Sequence, residues 1–380
     1  LSRISLAVRR LVGYDAFSIL LVDHAQKALR HRFSIRYDQR IDLDNIPLGK
    51  GITGAAVMSR QTIRVHDIAT DPRYIPSHPG IQSEVAAPLI AHDEVIGVMD
   101  LESERLGYFT DDHVRALELL APQIATSIEN ARLYGQIEAR ERRIQEDLRA
   151  ARELQTLLLP SGAPEVSGLE ISSALRAARE IAGDLYDLFE YPDGHTLIAF
   201  GDVSGKGAAA ALYGALVLGL LRTLAPRRRT PAAILKALNE AVIERKVEAR
   251  YVALLLLLWH PHSRRFTLAN AGALPPLVCR RGELLHLRVE GVPVGLLPGR
   301  EYEEVSLEAQ AGDAILLFSD GVTDHRNPQG EEYGRRRLAE NLRARWRLPA
   351  RDLVREIFAE VDGFEPRASD DQTLMAVKTL

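Results

Sequence analysis

The 380-residue chain contains a single cysteine, Cys279. A lone thiol excludes an intramolecular disulfide and a thiolate metal cluster, and it points to a reducing compartment. A cysteine-nucleophile loop would need an arginine six residues further on; that position is Leu285, so Cys279 reads as a packing residue. No apolar run reaches the roughly 18 residues of a membrane span, since "YVALLLLLW" stops after Trp259, and no signal peptide opens the chain. Charge of one sign is also missing. A net charge of -4 on 48 basic and 52 acidic side chains leaves no footprint for nucleic acid or an anionic membrane. The one compact basic run, Arg227 to Arg229, reads as a solvated loop. A cytoplasmic globular protein is expected, with further chain upstream, because the sequence opens on Leu1 rather than methionine.

What the chain does have is enough apolar content, 46%, to fill two cores, and its length predicts two domains. In the first region "AFSILLVD" (16–23), "RFSIRY" (32–37) and "SEVAAPLIAHDEVIGVMDLES" (83–103) read as strands, the last as a hairpin turning at His92-Asp93. A helix follows, opened by Thr110 as N-cap and by Asp111 and Asp112 in its first turn, where acids complement the helix dipole. The expected class is α+β in two domains. The runs "LGKGITGAAVMSRQTIRVHDIATDPRYIP", "SEVAAPLIAHDEVIGVMDLES" and "FTDDHVRALELLAPQIATSIENARLY" resemble a GAF domain, which implies a GAF-like α/β sensor domain over 1–134. Such domains bind cyclic nucleotides, haem, bilins or other small molecules, or nothing. With no cysteine in this region a thioether-linked bilin is excluded, and His66 alone is an ordinary histidine rather than a haem ligand, so the sensor ligand is unassigned.

Residues 135–160 form a predicted linker helix with balanced arginines and acids. Ile137, Ile144, Ala151 and Leu158 recur every seven residues, with Leu148 at an intervening position, while Glu141 and Gln155 interrupt the stripe. Two readings stand: a face packing on the chain's own domains, or a seam that makes a parallel homodimer.

The third region, 161–380, carries the chemistry. "GDVSGKG" lacks the spacing of a nucleotide P-loop: three residues separate Gly201 from Gly205, and Gly207 stands where a hydroxyl should follow the lysine. What is left is Asp202 at the carboxyl end of an apolar strand. Asp320 follows "AILLFS", Asp370 and Asp371 precede "QTLMAV", and Asp184 lies in "IAGDLYD" ahead of another strand. Carboxylates converging at strand ends repel by several kcal/mol at about 4 Å. A divalent cation removes that cost, and oxygen ligands favour Mg²⁺ or Mn²⁺ over zinc.

"AREIAGDLYD", "GDVSGKGAAAAL", "NAGALPPL", "GVPVGLL", "GDAILLFSDGVTDHRNPQGEEYG" and "SDDQTLMAV", in that order, resemble the PPM (protein phosphatase 2C-like) serine/threonine phosphatases. The branch is that of the bacterial sporulation and stress-response enzymes acting on phosphorylated anti-sigma-factor antagonists. The resemblance implies a β-sandwich flanked by helices holding two Mn²⁺ or Mg²⁺ ions. Asp202 would bridge both ions, Asp320 and Asp370 would complete the first, and Asp184 with the carbonyl of Val203 would hold the second. Asp371, next to a ligand, would support them. Two such ions lower the pKa of a water so that it attacks phosphorus in line, without a protein nucleophile. Arg179 is a phosphate ligand or a solvated arginine, and Lys206 a substrate contact or a packing lysine. The branch's usual "NAGH" is here "NAGA", with Ala273 for the histidine. The expected function is a metal-dependent protein phosphatase governed by the sensor. A catalytically silent phosphoprotein-binding regulator of the same fold is the alternative, which the intact acids disfavour, and the missing ATP-lid glycines disfavour a sensor kinase.

Overall fold

Alternating apolar residues in the first region build one antiparallel sheet whose two faces are both covered. The computed structural model describes residues 2–37, 39–40, 45–76, 79–160, 165–227, 230–245 and 250–380; Arg228 and Arg229 of the basic run, and 161–164 at the expected domain boundary, lie outside them. Two units result, Leu1–Arg142 and Arg143–Leu380.

In the first unit, strands Ala16–Asp23, Ala28–Arg36, Ile63–Val65, Ser83–Ala91 and Glu94–Ser103 carry the sheet, with the short strands Gln39–Arg40 and Ile46–Pro47 at one edge. The hairpin closes at His92 and Asp93, both left-handed with φ of 48° and 66°, as a tight two-residue turn of this twist requires. One face packs Phe17, Ile19 and Leu101 against Val8 and Val12 behind helix Ser2–Leu11 and against Leu117 and Ile124 of helix Asp111–Leu158. The other face packs Leu20, Ala86 and Val98 against Ile52, Ala56 and Val57 of helix Gly51–Ser59. The N-cap expectation at Thr110 holds: its hydroxyl accepts from the His113 N–H at 3.3 Å. His66 is exposed.

The second unit is a four-layered sandwich. One five-stranded sheet runs in the order Glu304–Glu308, Arg265–Ala271, Val252–His260, Thr196–Val203, Leu185–Glu190. The other runs Glu283–Leu285, Leu277–Arg280, Ala314–Phe318, Gln372–Thr379, Leu169–Arg176. Between the sheets lie Phe200, Leu257, Trp259, Ile315, Met375 and Val377. Helices Ala208–Leu224 and Pro231–Glu244 cover the outside of the first sheet, and Gly334–Arg345 and Ala350–Phe364 cover the second. "YVALLLLLW" is apolar without alternation because Leu254, Leu256 and Leu258 meet the helices while Leu255, Leu257 and Trp259 meet the opposite sheet.

One expectation needs correction. Although no uninterrupted apolar run has the length of a span, the helical stretch Ala208–Arg227 is long and apolar enough to cross a membrane by length and composition. Here one face of it packs Ala210, Tyr213, Val217 and Leu221 into the core under the first sheet, while Leu212 stays exposed.

Candidate active site

Both sheets send acids to one place. Asp202 lies one residue before the end of strand Thr196–Val203, and Asp184 immediately precedes its neighbour strand Leu185–Glu190. From the other sheet, Asp320 opens the turn of helix after strand Ala314–Phe318, and Asp370 and Asp371 precede its neighbour strand Gln372–Thr379. The four expected ligand acids therefore come from two adjacent strand ends in each layer.

Their electrostatics record the convergence. Burial, then the charge of Asp320, pushes Asp202 up to about 7. Asp184, 2% exposed, is raised well above the usual carboxylate range by burial and then by Asp202, with which it shares a hydrogen bond. Asp320 is raised by burial and then by Asp370. Mutual repulsion within a desolvated pocket accounts for all three directions.

Hydroxyls and one ammonium hold these groups. Thr373 donates its hydroxyl to Asp184. Ser319 hydroxyl donates to the carbonyl of Asp371 at 3.2 Å and accepts from the Thr373 N–H at 2.9 Å, tying the Asp320 turn to the Asp371 strand. Lys206 pairs with Asp370 at 2.6 Å and donates to the Ser369 carbonyl at 3.3 Å. It stands on a turn in which Gly205 and Gly207 adopt φ of 94° and 74°, so the glycine pattern serves backbone geometry. Arg179 is exposed and forms no ion pair among the described residues. Ala273 packs on the inter-sheet core, its backbone N–H and carbonyl both held by the Asn270 side chain at 2.9 Å.

Of two further contributors, Asp371 was expected beside the ligands and Gln155 was not legible in the sequence. Asp371 accepts from the backbone N–H of Ala178 at 2.8 Å and of Gly183 at 2.6 Å, fixing the loop that presents Asp184. Gln155 grips the same loop from the linker helix: its amide nitrogen donates to the Ala182 carbonyl at 2.7 Å and its oxygen accepts from the Ala182 N–H at 3.1 Å. Around it Ala151, Leu154 and Leu158 line a cavity of ≈ 160 Å³ with Gly183, Asp184 and Leu212.

Among the described residues no three Asp, Glu, His or Cys side chains are already gathered as a metal cage. The donor chemistry nevertheless fits hard divalent ions: buried Asp184, half-buried Asp202 and Asp370 and exposed Asp320 repel one another, and Lys206 neutralises them only in part. The missing side chain of Gly183 leaves room beside two expected donors, since a Cβ there would stand 3.3 Å from the Val203 carbonyl and 3.5 Å from Asp202 Oδ1. Carboxylates without a cation turn to protonation and local hydrogen bonds rather than to a common centre.

Fold and site together define a two-part class: an α/β domain with one antiparallel sheet joined to a PP2C-like sandwich with acids at its strand ends. Comparison with known proteins gives the particulars. The family model described as GAF domain matches residues 1–129, and that described as Stage II sporulation protein E (SpoIIE) matches 192–380. The protein named IcfG of Synechocystis is 26% identical over 262 residues, covering 61% of this chain and 41% of the relative. Phosphoserine phosphatase RsbU of Bacillus subtilis is 28% identical over 193 residues, 50% of this chain and 57% of the relative. The chain thus spans about half the length of these curated relatives. The solved SiaA-PP2C domain of Pseudomonas aeruginosa shares the fold with a TM-score of 0.57 at 23% identity, over 64% of this chain and 99% of that one. The chain is a GAF domain followed by a SpoIIE-type PP2C phosphatase domain.

Proposed function

We propose that the second unit hydrolyses phosphoserine or phosphothreonine on a cytoplasmic protein, and that the first unit and the helix between regulate it. The observation that carries this is the convergence of Asp184, Asp202, Asp320 and Asp370 from four strand ends, with Asp202 pushed up to about 7. With the Val203 carbonyl, these carboxylates would hold two Mn²⁺ or Mg²⁺ ions, which when bound supply polarisation of a water and of phosphate oxygens.

The chain's own residues then have separate tasks. Asp202 and Asp184 share a hydrogen bond and would stand as neighbouring oxygen donors to the ions. Asp371, Thr373 and Ser319 hold the carboxylates in place across the two sheets. Lys206 balances Asp370, and Arg179, exposed and without an ion pair among the described residues, is free to meet an incoming phosphate.

The similarity to phosphoserine phosphatase RsbU favours a phosphoserine-bearing protein as substrate, and the resemblance of the motifs to the sporulation and stress-response branch makes a phosphorylated anti-sigma-factor antagonist the candidate. The net charge of -4 on the chain leaves no footprint for nucleic acid, and we assign no membrane partner.

The test is hydrolysis of p-nitrophenyl phosphate and of a phosphoserine protein with saturating Mn²⁺. Asp202→Asn and Asp320→Asn are expected to lose about two orders of magnitude or more while remaining folded. Folded wild type inactive at every Mn²⁺ and Mg²⁺ concentration points instead to a silent binding regulator; near-normal turnover in either variant removes the two-ion assignment.

A further inference from the structure

In the second unit, the end of the first sheet away from the acids carries two histidines side by side. Strands Thr196–Val203 and Val252–His260 run antiparallel with Thr196 opposite Trp259, so His195 and His260 fall opposite one another at the next register position. Alternation places both on the helix-covered face, with Leu197 and Leu258. Their imidazole rings stand 4.6 Å apart, centroid to centroid, with their planes at 72°. His195 precedes Asp202 by seven positions, about 23 Å of extended chain, so the pair is remote from the phosphatase acids.

Each ring is oriented by an oxygen at one of its nitrogens. His195 Nδ1 lies 3.1 Å from the Asp193 carboxylate, which also accepts from the His195 backbone N–H at 3.4 Å. His260 Nε2 lies 3.0 Å from the Thr267 hydroxyl. An oxygen that accepts one ring N–H fixes the tautomer and leaves the lone pair on the other nitrogen, the state in which imidazole ligates a metal. The other nitrogens, His195 Nε2 and His260 Nδ1, have no protein partner among the described residues. Burial first, then the neighbouring His195, holds the His260 imidazole below its usual range, so its lone pair is available at neutral pH. Solvent reaches the pair, since the His195 side chain is 30% exposed.

We propose that His195 and His260 bind one divalent transition ion of the zinc type, through Nε2 and Nδ1 respectively, and so clip the turn before Thr196 to the turn after His260. Rings this close are within reach of a single ion, which sits about 2.0–2.1 Å from a ligating nitrogen. Imidazole suits Zn²⁺, Ni²⁺ and Cu²⁺, whereas the carboxylates at the other end of the sheet suit Mg²⁺ and Mn²⁺, so the two ends select different metals. No third acid or histidine joins the pair in a cage among the described residues, so water completes the shell and the ion exchanges with solvent. Asp193 and Thr267 are the outer partners that keep the ligating nitrogens unprotonated. The inference stands apart from the phosphatase reading, in which neither histidine takes part.

The experiment is titration of the full chain with CuCl₂ under saturating MgCl₂, read by electron paramagnetic resonance, which separates nitrogen from oxygen ligation. The first equivalent of Cu²⁺ is expected to couple to two imidazole nitrogens and to be displaced by ZnCl₂. His195→Gln and His260→Gln should each bind at least about tenfold more weakly, since loss of even an outer partner costs that much. ZnCl₂ should raise the melting temperature of wild type more than that of either variant. Turnover of p-nitrophenyl phosphate under saturating Mg²⁺ should be the same in all three proteins, which separates this site from the phosphatase assignment. His195→Gln, altered in a partly exposed turn, carries the test if His260→Gln does not fold. Cu²⁺ held by oxygen alone, nitrogen coupling undiminished in folded His195→Gln, or an equal zinc effect on all three melting temperatures would each overturn the proposal.

Discussion

Asp202 links the site to pH. Its carboxyl titrates near 7 in the folded chain without metal, against 3.8 when unperturbed. Below about pH 4 the group is protonated in both folded and unfolded chains and contributes nothing to stability. As pH rises toward about 7 the unfolded chain releases its proton first, so the folded state loses stability through that window. The chelator-treated protein should therefore melt at progressively lower temperature from pH 5 to pH 8. Asp202→Asn should flatten the trend, and Mn²⁺ should restore stability more at pH 8 than at pH 5. A melting temperature for chelated wild type that rises with pH over this range would contradict the buried, metal-free carboxylate described here.

At the scale of elements, the grip of Gln155 on Ala182 makes the end of the linker helix part of the loop that carries Asp184. Gln155→Leu keeps the helix and much of the volume but removes both hydrogen bonds, leaving the Ala182 N–H and carbonyl to find other partners. We expect lowered metal affinity, seen as a higher Mn²⁺ concentration for half-maximal turnover, with turnover at saturating Mn²⁺ less affected. An unchanged Mn²⁺ dependence would show that the loop is fixed by Asp371 alone. The seven-residue stripe is likewise divided in structure. Ala151 and Leu158 line the cavity beside Gly183, whereas Ile137 and Ile144 are 60% and 52% exposed.

This contrast explains what the sequence could and could not reveal. Asp202 and Asp320 stood out because each follows an apolar strand, and the hairpin at His92-Asp93 because a turn there leaves two alternating strands. Gln155 read as a flaw in an apolar stripe, since its partner Ala182 lies 27 positions on. The hold of Asp371 on Ala178 spans 193 positions and uses only backbone donors, which leave no mark on side-chain pattern.

At the scale of the whole molecule, exposed Ile137 and Ile144 support a pairing of two chains along the helix as the proposed route from sensor to enzyme. Removing such a side chain from water contributes roughly 1.5 to 3 kcal/mol. Ile144→Glu should shift the full chain toward monomer in light scattering and abolish any response of phosphatase activity to sensor ligand, while the separately expressed second unit keeps its activity. Wild type that stays monomeric at high concentration, or a variant that dimerises normally, would leave the stripe as a local packing face only.

The strand order of the sandwich also has a consequence for synthesis on the ribosome. Strands 185–190, 196–203, 252–260, 265–271 and 304–308 can form their sheet from one continuous stretch of nascent chain. Leu169–Arg176, which emerges before them all, pairs with Gln372–Thr379, which emerges after them all. Until that late strand arrives, the sheet opposing the leucine-rich strand Val252–His260 lacks Gln372–Thr379 and its partner Leu169–Arg176, which leaves part of that face uncovered, a surface suited to chaperone capture. Asp370 and Asp371 arrive with the same segment, so a ribosome stalled before it displays Asp184, Asp202 and Asp320 but no complete site.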